Sequence, residues 1–279
     1  MSTVSVIILN WNSRHFLELC LRSLSTGNGL SRRELVIVDN GSIDGSPDFV
    51  GRMYPEAVFI RNTANRGVAV ARNQAIRVAG GDYLFILDVD TIVPPGTIDL
   101  LVDFMEQNPE VGLCAPKLVS PNDQLQFSCR LYPTLLSKLA RRMPFGWGCS
   151  LLADEEMHSW DHNAVREVDY VIGAAQLIRR KVIDEVGLLD EAIFYGPEDI
   201  DLCLRIRQAG WKIVYNPTAA IVHHESRITR KVFSIVTLRH VTAMIYYFSK
   251  HRYLFSRQTL YRRLPPAPAA RRAKAARTA

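Results

Sequence analysis

The chain has 279 residues, 48% hydrophobic and 22% charged, which excludes a wholly disordered or collagen-like protein and is long enough to bury a real core. The net charge of +6 is unevenly spread. Residues 1–225 carry 21 basic against 28 acidic side chains, a net of −7, whereas residues 226–279 carry 13 Lys or Arg and no Asp or Glu. An acidic body with a basic extension expects a polyanionic contact: a membrane surface, a phosphate-bearing acceptor or nucleic acid. No segment reaches the roughly 20 apolar residues of a membrane span. The first apolar run, Val4–Leu9, is short and has no basic residue before it, which argues against a secretion signal. The five cysteines, Cys20, Cys114, Cys129, Cys149 and Cys203, include no CxxC pair and read as buried thiols in a reducing cytoplasm.

Short β-rich apolar runs at Val4–Leu9, Leu35–Val38, Ala57–Ile60 and Tyr83–Leu87 predict strands buried on both faces. Helical spacing fills the gaps at His15–Leu24, Ser46–Met53 and Val68–Val78. This alternation predicts an α/β fold with a mainly parallel central sheet and helices on both faces. Further strands are expected at Gly112–Leu118, Val168–Ile178, Lys212–Tyr215 and Ala219–Val222, with a loop-rich insertion from Pro121 to His162. Glu198–Ala209 reads as a helix with Pro197 in its first turn and Gly210 after its end. The domains expected are a catalytic body over 1–225, a basic amphipathic helical extension over 226–264 and a disordered basic tail over 265–279.

Three early strands run into polar residues: Asn10-Trp11-Asn12, Asp39-Asn40-Gly41-Ser42 and Asp88-Val89-Asp90. Ligands of open α/β sheets sit at the carboxyl ends of strands, so the three clusters point to one crevice. Asp88 and Asp90 are a pair that can hold a divalent cation beside a diphosphate, although that spacing also describes an ordinary strand-to-loop junction. Asp44 stands where the next helix begins. In Asn65–Ile76, Gly67 lets backbone approach a ligand at a helix start, with Asn65 as N-cap and Arg72 read as a surface charge. Glu198, Asp199 and Asp201 crowd one helical turn, where mutual repulsion can raise a pKa and make a general base. Phe194 and Tyr195 supply a desolvated wall beside them. His223 and His224 follow a strand, so only one of the two can face the crevice.

Taken in order, Val4–Asn12, Val38–Ser46, Asn65–Asn73, Asp88–Asp90, Val171–Ile178, Gly187–Leu189, Glu198–Arg205 and Trp211–His223 resemble the family 2 glycosyltransferases, over about residues 3 to 225. Gln126–Thr134 is similar to a subset of bacterial rhamnosyltransferases. The resemblance implies a single A-type nucleotide-sugar fold and inverting transfer of a sugar from a nucleoside diphosphate. It implies that Asp39 contacts the base, that Asn10, Asn40 and Gly67 line the nucleotide pocket, and that Asp88 sits by the ribose and metal. Asp90 and His223 would bind a divalent cation, Mg²⁺ or Mn²⁺. Asp199 would be the acceptor-side base, with Glu198 beside it. The subset resemblance implies dTDP-rhamnose as the donor, with UDP-galactofuranose, UDP-GlcNAc and UDP-glucose left open by the family as a whole, and the acceptor a saccharide or a polyprenyl-diphosphate-linked one.

Two rivals differ from this reading. A nucleotidyltransferase brings a glycine- and basic-rich phosphate loop near its first strand, and Asn10-Trp11-Asn12 offers none. A nucleic-acid-binding protein accounts for the tail but not for carboxylates at strand ends. The expected location is therefore cytoplasmic, peripheral on the inner face of the plasma membrane. There Val232–Phe248 would lie in the interface, with Tyr246, Tyr247 and Phe248 as anchors and the following Lys and Arg on anionic lipid; the alternative is a helix packed on the catalytic body with a disordered tail.

Overall fold

A computed structural model describes residues 2–25, 33–140, 149–225 and 235–265. The elements in chain order are β1 (Val4–Asn10), α1 (Arg14–Ser25), β2 (Arg33–Asp39), α2 (Ser46–Met53), β3 (Val58–Arg61), α3 (Val68–Val78), β4 (Tyr83–Asp88), β5 (Thr91–Ile92) and α4 (Thr97–Gln107). They continue as β6 (Val111–Val119), β7 (Leu125–Gln126), β8 (Cys129–Arg130), α5 (Leu135–Ala140), α6 (Cys149–Glu155), β9 (Arg166–Glu167), β10 (Tyr170–Val171) and β11 (Ala175–Arg179). The last are α7 (Arg180–Val186), α8 (Glu198–Gln208), β12 (Lys212–His223), α9 (Ile235–His251) and α10 (Arg257–Tyr261). The expected disordered tail lies outside the described residues apart from Pro265, as does the start of the expected extension.

The main sheet runs β3-β2-β1-β4-β11-β6-β12-β5. β3, β2, β1 and β4 are parallel, and β6 and β12 are parallel. β11 lies between the two sets and is antiparallel to both β4 and β6, so the sheet is mixed. The strands alternate as pleated backbone requires. On β4, Leu84 and Ile86 enter one core with α3, α8 and α9 residues. Tyr83, Phe85 and Leu87 enter a second core with α1 and α4 residues. Helices therefore cover both faces. Among the described residues no helix is long and apolar enough to cross a membrane.

Two expected strand boundaries change. Val168–Ile178 is not one strand: β10 and β11 are separated by Ile172-Gly173-Ala174, which turn around the Arg72 guanidinium. A β-carbon on Gly173 would stand 2.6 Å from Arg72 Nη1. Lys212–Tyr215 and Ala219–Val222 are instead one strand, β12, with an irregular register between Asn216 and Ala220. Pro217, which has no N–H to pair, sits in that irregularity.

The chain after residue 235 packs on the body. On α9, Ala243, Met244, Tyr247 and Phe248 are buried, and Tyr247 Oη lies 2.8 Å from Tyr253 Oη. Tyr246 Oη donates to Asp190 at 2.9 Å. This corrects the expected lipid anchors: Tyr247 and Phe248 complete a protein core, because the faces of α8 and β10 offer them apolar partners. Residues 232–234 of the apolar segment lie outside the described residues.

Candidate active site

Parallel pairing builds the first half of the site. The register sets Asn10 beside Asp39 and Leu9 beside Asp88, so the ends of β2, β1 and β4 present their polar residues in one row. Asn10 Nδ2 donates to Asp39 Oδ2 at 2.9 Å and to Ser42 Oγ at 3.1 Å, while Asp39 Oδ1 accepts from Ser42 N at 2.8 Å. Asn10 Oδ1 is buried without a hydrogen-bond partner, an acceptor left unused at the end of β1. Asn40 is tied to the next loop, accepting from Asn62 Nδ2 at 3.0 Å and from Arg66 N at 3.0 Å.

The N-cap of α3 is Gly67 rather than Asn65, whose Oδ1 accepts from Gly67 N at 2.9 Å. Gly67 has φ +87, and a β-carbon there would lie 2.7 Å from Phe194 O. That close approach presses the expected aromatic wall against the start of α3. Asp44 lies just before α2, whose N-cap is Gly45. Its carboxylate accepts from Ser46 N at 3.1 Å and from Arg14 N at 2.8 Å, so it holds the starts of α1 and α2 together.

His223, at the end of β12, pairs with Thr91 of β5, and this antiparallel step brings it to Asp90. Its Nε2 lies 3.4 Å from Asp90 Oδ1. Asp88, Asp90 and His223 each offer one ligand atom, all within 4.8 Å of one another. Gln126 supports the histidine: its Oε1 lies 2.7 Å from His223 Nδ1, and its Nε2 donates to His223 O at 2.8 Å. A neutral His223 that gives Nδ1–H to Gln126 would offer its Nε2 lone pair to a cation held by the carboxylates. Two carboxylates and one imidazole fit a hard divalent cation. His224 points away, its ring 5.1 Å from that of Phe16.

Arg72 is not on the surface as expected. It is buried, with Nη2 2.7 Å from Asp88 Oδ1 and 2.9 Å from Gly173 O, and with Nη1 3.9 Å from Glu198 Oε1. It thus joins the strand-end carboxylates to the start of α8. The sequence carried a signal for this: Ala69, Arg72, Asn73 and Ile76 recur at the spacing of one buried helix face.

At the start of α8, Pro197 stands at the N-cap and the three carboxylates part company. Glu198 is buried and accepts from Gly196 N at 2.6 Å. Asp199 accepts from Gly173 N at 3.0 Å and from Ile200 N at 2.7 Å. Burial and then the Glu198 charge push Asp199 up to about 7, the range of a general base at neutral pH. Burial also raises Glu198, against the pull of Arg72. Asp201 does the opposite. Burial would raise it, but His251, Arg205 and Lys250 hold it well below the usual carboxylate range. It is the anchor of α9, 2.8 Å from His251 Nε2 and 2.7 Å from Lys250 Nζ. Burial pushes Tyr195 up to about 12, with the Glu198, Asp88 and Asp199 charges adding to it. Arg239 of α9 covers the Phe194 ring at 4.1 Å, so α9 backs the aromatic wall.

The fold and the row of strand-end carboxylates define a glycosyltransferase-type α/β domain, and comparison with known proteins gives its family. Residues 5–187 match the family model described as glycosyl transferase family 2. The chain belongs to the family 2 glycosyltransferases. It is 29% identical over 262 residues to the N-acetylglucosaminyl-diphospho-decaprenol L-rhamnosyltransferase of Mycobacterium tuberculosis, covering 88% of this chain and 84% of that one. It is 31% identical over 220 residues to the pre-mycofactocin glycosyltransferase of the same organism, covering 76% of this chain and 43% of that one. Its fold is similar to a mannosyltransferase from Pyrobaculum calidifontis in complex with GDP-Man and Mn²⁺. That match has a TM-score of 0.62 at 21% identity and covers 89% of this chain and 64% of that one.

Proposed function

We propose that this glycosyltransferase moves rhamnose, with inversion, from dTDP-rhamnose to a saccharide carried on a polyprenyl diphosphate at the inner face of the plasma membrane. The observation that carries the reading is Arg72, which links a cation-binding carboxylate group to a raised-pKa carboxylate pair. The two tasks of inverting transfer thereby have adjacent residues. Asp39, Asn10, Asn40 and Gly67 would receive the nucleotide, and Asp88 would stand by the ribose. Asp88, Asp90 and His223 would hold Mg²⁺ or Mn²⁺. When bound, the cation supplies positive charge to the leaving diphosphate.

Asp199 takes the acceptor hydroxyl proton as that oxygen attacks the anomeric carbon, and the bond to the diphosphate breaks. Burial, with the Glu198 charge adding to it, keeps the pKa of Asp199 high enough for this role, and Arg72 opposes the rise that burial gives Glu198. The polyprenyl-linked acceptor and the rhamnosyl donor follow the relative of Mycobacterium tuberculosis, an N-acetylglucosaminyl-diphospho-decaprenol L-rhamnosyltransferase.

The test is a panel of nucleotide sugars incubated with the full chain and Mn²⁺, read by nucleoside diphosphate release with a lipid-linked N-acetylglucosamine acceptor. Release from dTDP-rhamnose that is abolished by EDTA or by Asp90→Ala is expected. Full activity in excess EDTA would overturn the metal-dependent part, and a preference for another nucleotide sugar would overturn the donor.

A further inference from the structure

We propose that α5, α6 and the loop following α9 form one face that rests on an anionic lipid bilayer. This deepens the proposed lipid-linked acceptor by naming the surface through which the enzyme reaches it, and it rests on that reading. Five large apolar side chains are exposed there: Leu136 and Leu139 on α5, Leu151 on α6, and Leu254 and Phe255 in the loop. Phe255 is 62% exposed and Leu139 is 53% exposed. Leu136 and Leu139 stand three apart and share a side of their helix.

These segments are joined to one another. Leu135 N donates to Leu254 O at 2.8 Å. Lys138 on α5 meets Glu155 on α6 at 2.8 Å, and Arg257 pairs with Asp154 on α6. The apolar side chains therefore belong to a single unit of structure.

Charge selects the occupant. The acids of this unit already face cations: Asp154 faces Arg257, Glu155 faces Lys138, and Glu156 lies 3.4 Å from Arg130. Arg252, Arg262 and Arg263 are exposed beside the loop, and Arg263 Nη1 donates to Arg252 O at 3.1 Å. No acidic residue follows Glu225, and four more basic residues lie between Arg271 and Arg277. Leucine and phenylalanine bordered by arginine suit the boundary between acyl chains and anionic headgroups.

The position fits as well. The loop leaves α9 at His251, whose Nε2 is 2.8 Å from Asp201, two residues along α8 from Asp199. A bilayer on this face would lie beside the segment that packs on the helix carrying Asp199.

The test is flotation of the full chain with vesicles of phosphatidylglycerol and phosphatidylcholine. Leu139→Glu/Phe255→Glu keeps every arginine and the tail, so it isolates the apolar contribution. Its bound fraction is expected to fall at least about tenfold. Arg262→Glu/Arg263→Glu should lose binding at low salt, and pure phosphatidylcholine should bind weakly.

Thermal unfolding and donor hydrolysis without acceptor should match the unaltered chain for both variants. A variant that has lost its fold is thereby recognised, and Leu136→Ser/Leu254→Ser then serves as the second probe. Equal flotation of the apolar variant and the unaltered chain would overturn the face. So would a self-association that the apolar variant abolishes while vesicle binding persists, since the face would then belong to a second copy. Flotation needs no turnover. Loss of binding contrast with intact rhamnosyl transfer therefore defeats only this inference, and intact contrast without transfer defeats only the proposed function.

Discussion

Gln126 grips His223 with both atoms of its amide, the ring Nδ1 at 2.7 Å and the backbone oxygen at 2.8 Å, although 97 residues separate them. The amide fixes both the ring's plane and its tautomer. Gln126→Leu keeps the volume and removes both bonds. Mn²⁺ affinity is expected to fall about 10–100-fold, read by electron paramagnetic resonance of the free ion. Unchanged affinity would show that Asp88 and Asp90 alone position the cation.

Asp199→Asn removes the proton acceptor and keeps the shape. Turnover should fall about 10²–10⁴-fold with donor affinity retained, measured by steady-state kinetics and by calorimetric titration of the nucleotide sugar. In the unaltered enzyme kcat/KM should drop as pH falls below about 7, where Asp199 takes up its proton. Glu198→Gln removes the neighbouring charge and should move that limb to lower pH, the apparent value being a property of the pair.

The same carboxylate sets a stability trend. Its folded pKa lies above its ordinary value of 3.8, so the folded state binds the extra proton between those two pH values. Its contribution is complete below the ordinary value and is lost as pH rises through about 7. Asp199→Asn should therefore raise the unfolding temperature at pH 8 more than at pH 5, by differential scanning calorimetry. An equal shift at both would refute the assigned burial.

Asp201 works with the opposite sign. Its folded pKa is depressed, so its stabilisation is present above the ordinary 3.8 and disappears as pH falls below it. Asp201→Asn takes the carboxylate from His251 and Arg205, while Lys250 keeps Asp190, and should cost about 3 kcal/mol. Urea unfolding would report the loss. Hydrogen exchange should report faster opening of α9 than of the central strands.

Arg72→Met should be worse than its size implies. It leaves Asp88 and the buried Glu198 without their cation, a change of about 3–5 kcal/mol when a buried pair is broken. Chemical denaturation should show that loss. A double variant with Glu198→Gln should recover part of it, and full additivity would show the two side chains to be independent.

The strands from β1 to β4 and the helices between them were legible because each apolar run is short and closed by turn residues. The position of β11 was not, since local pattern carries no strand direction, and its antiparallel insertion depends on partners 63 to 96 residues earlier. Asp88, Asp90, His223, Glu198 and Asp199 were legible as ordered motifs, and the structure brings the first three together and sets the last two beside Arg72. Arg72 itself was read as solvated because charge outweighed its place on a buried stripe. The roles of Tyr247 and Phe248 could not be read either. Aromatic residues beside basic ones suit a membrane and a protein core equally, until the surface of α8 and β10 that receives them is known.

The insertion of β11 also bears on how the chain is made. During synthesis β4 emerges long before residues 175–179, and until they arrive one edge of β4 has no neighbour. The first 170 residues thus form an unfinished sheet with an adhesive side, while the ribosome is still adding the strand that closes it. The same strand joins the parallel set that carries Asp88 to the set that carries His223, so a chain interrupted before it does not bring the two together. Exposure to aggregation should be greatest in that interval, and chaperone capture of stalled nascent chains should decline once β11 has left the exit tunnel.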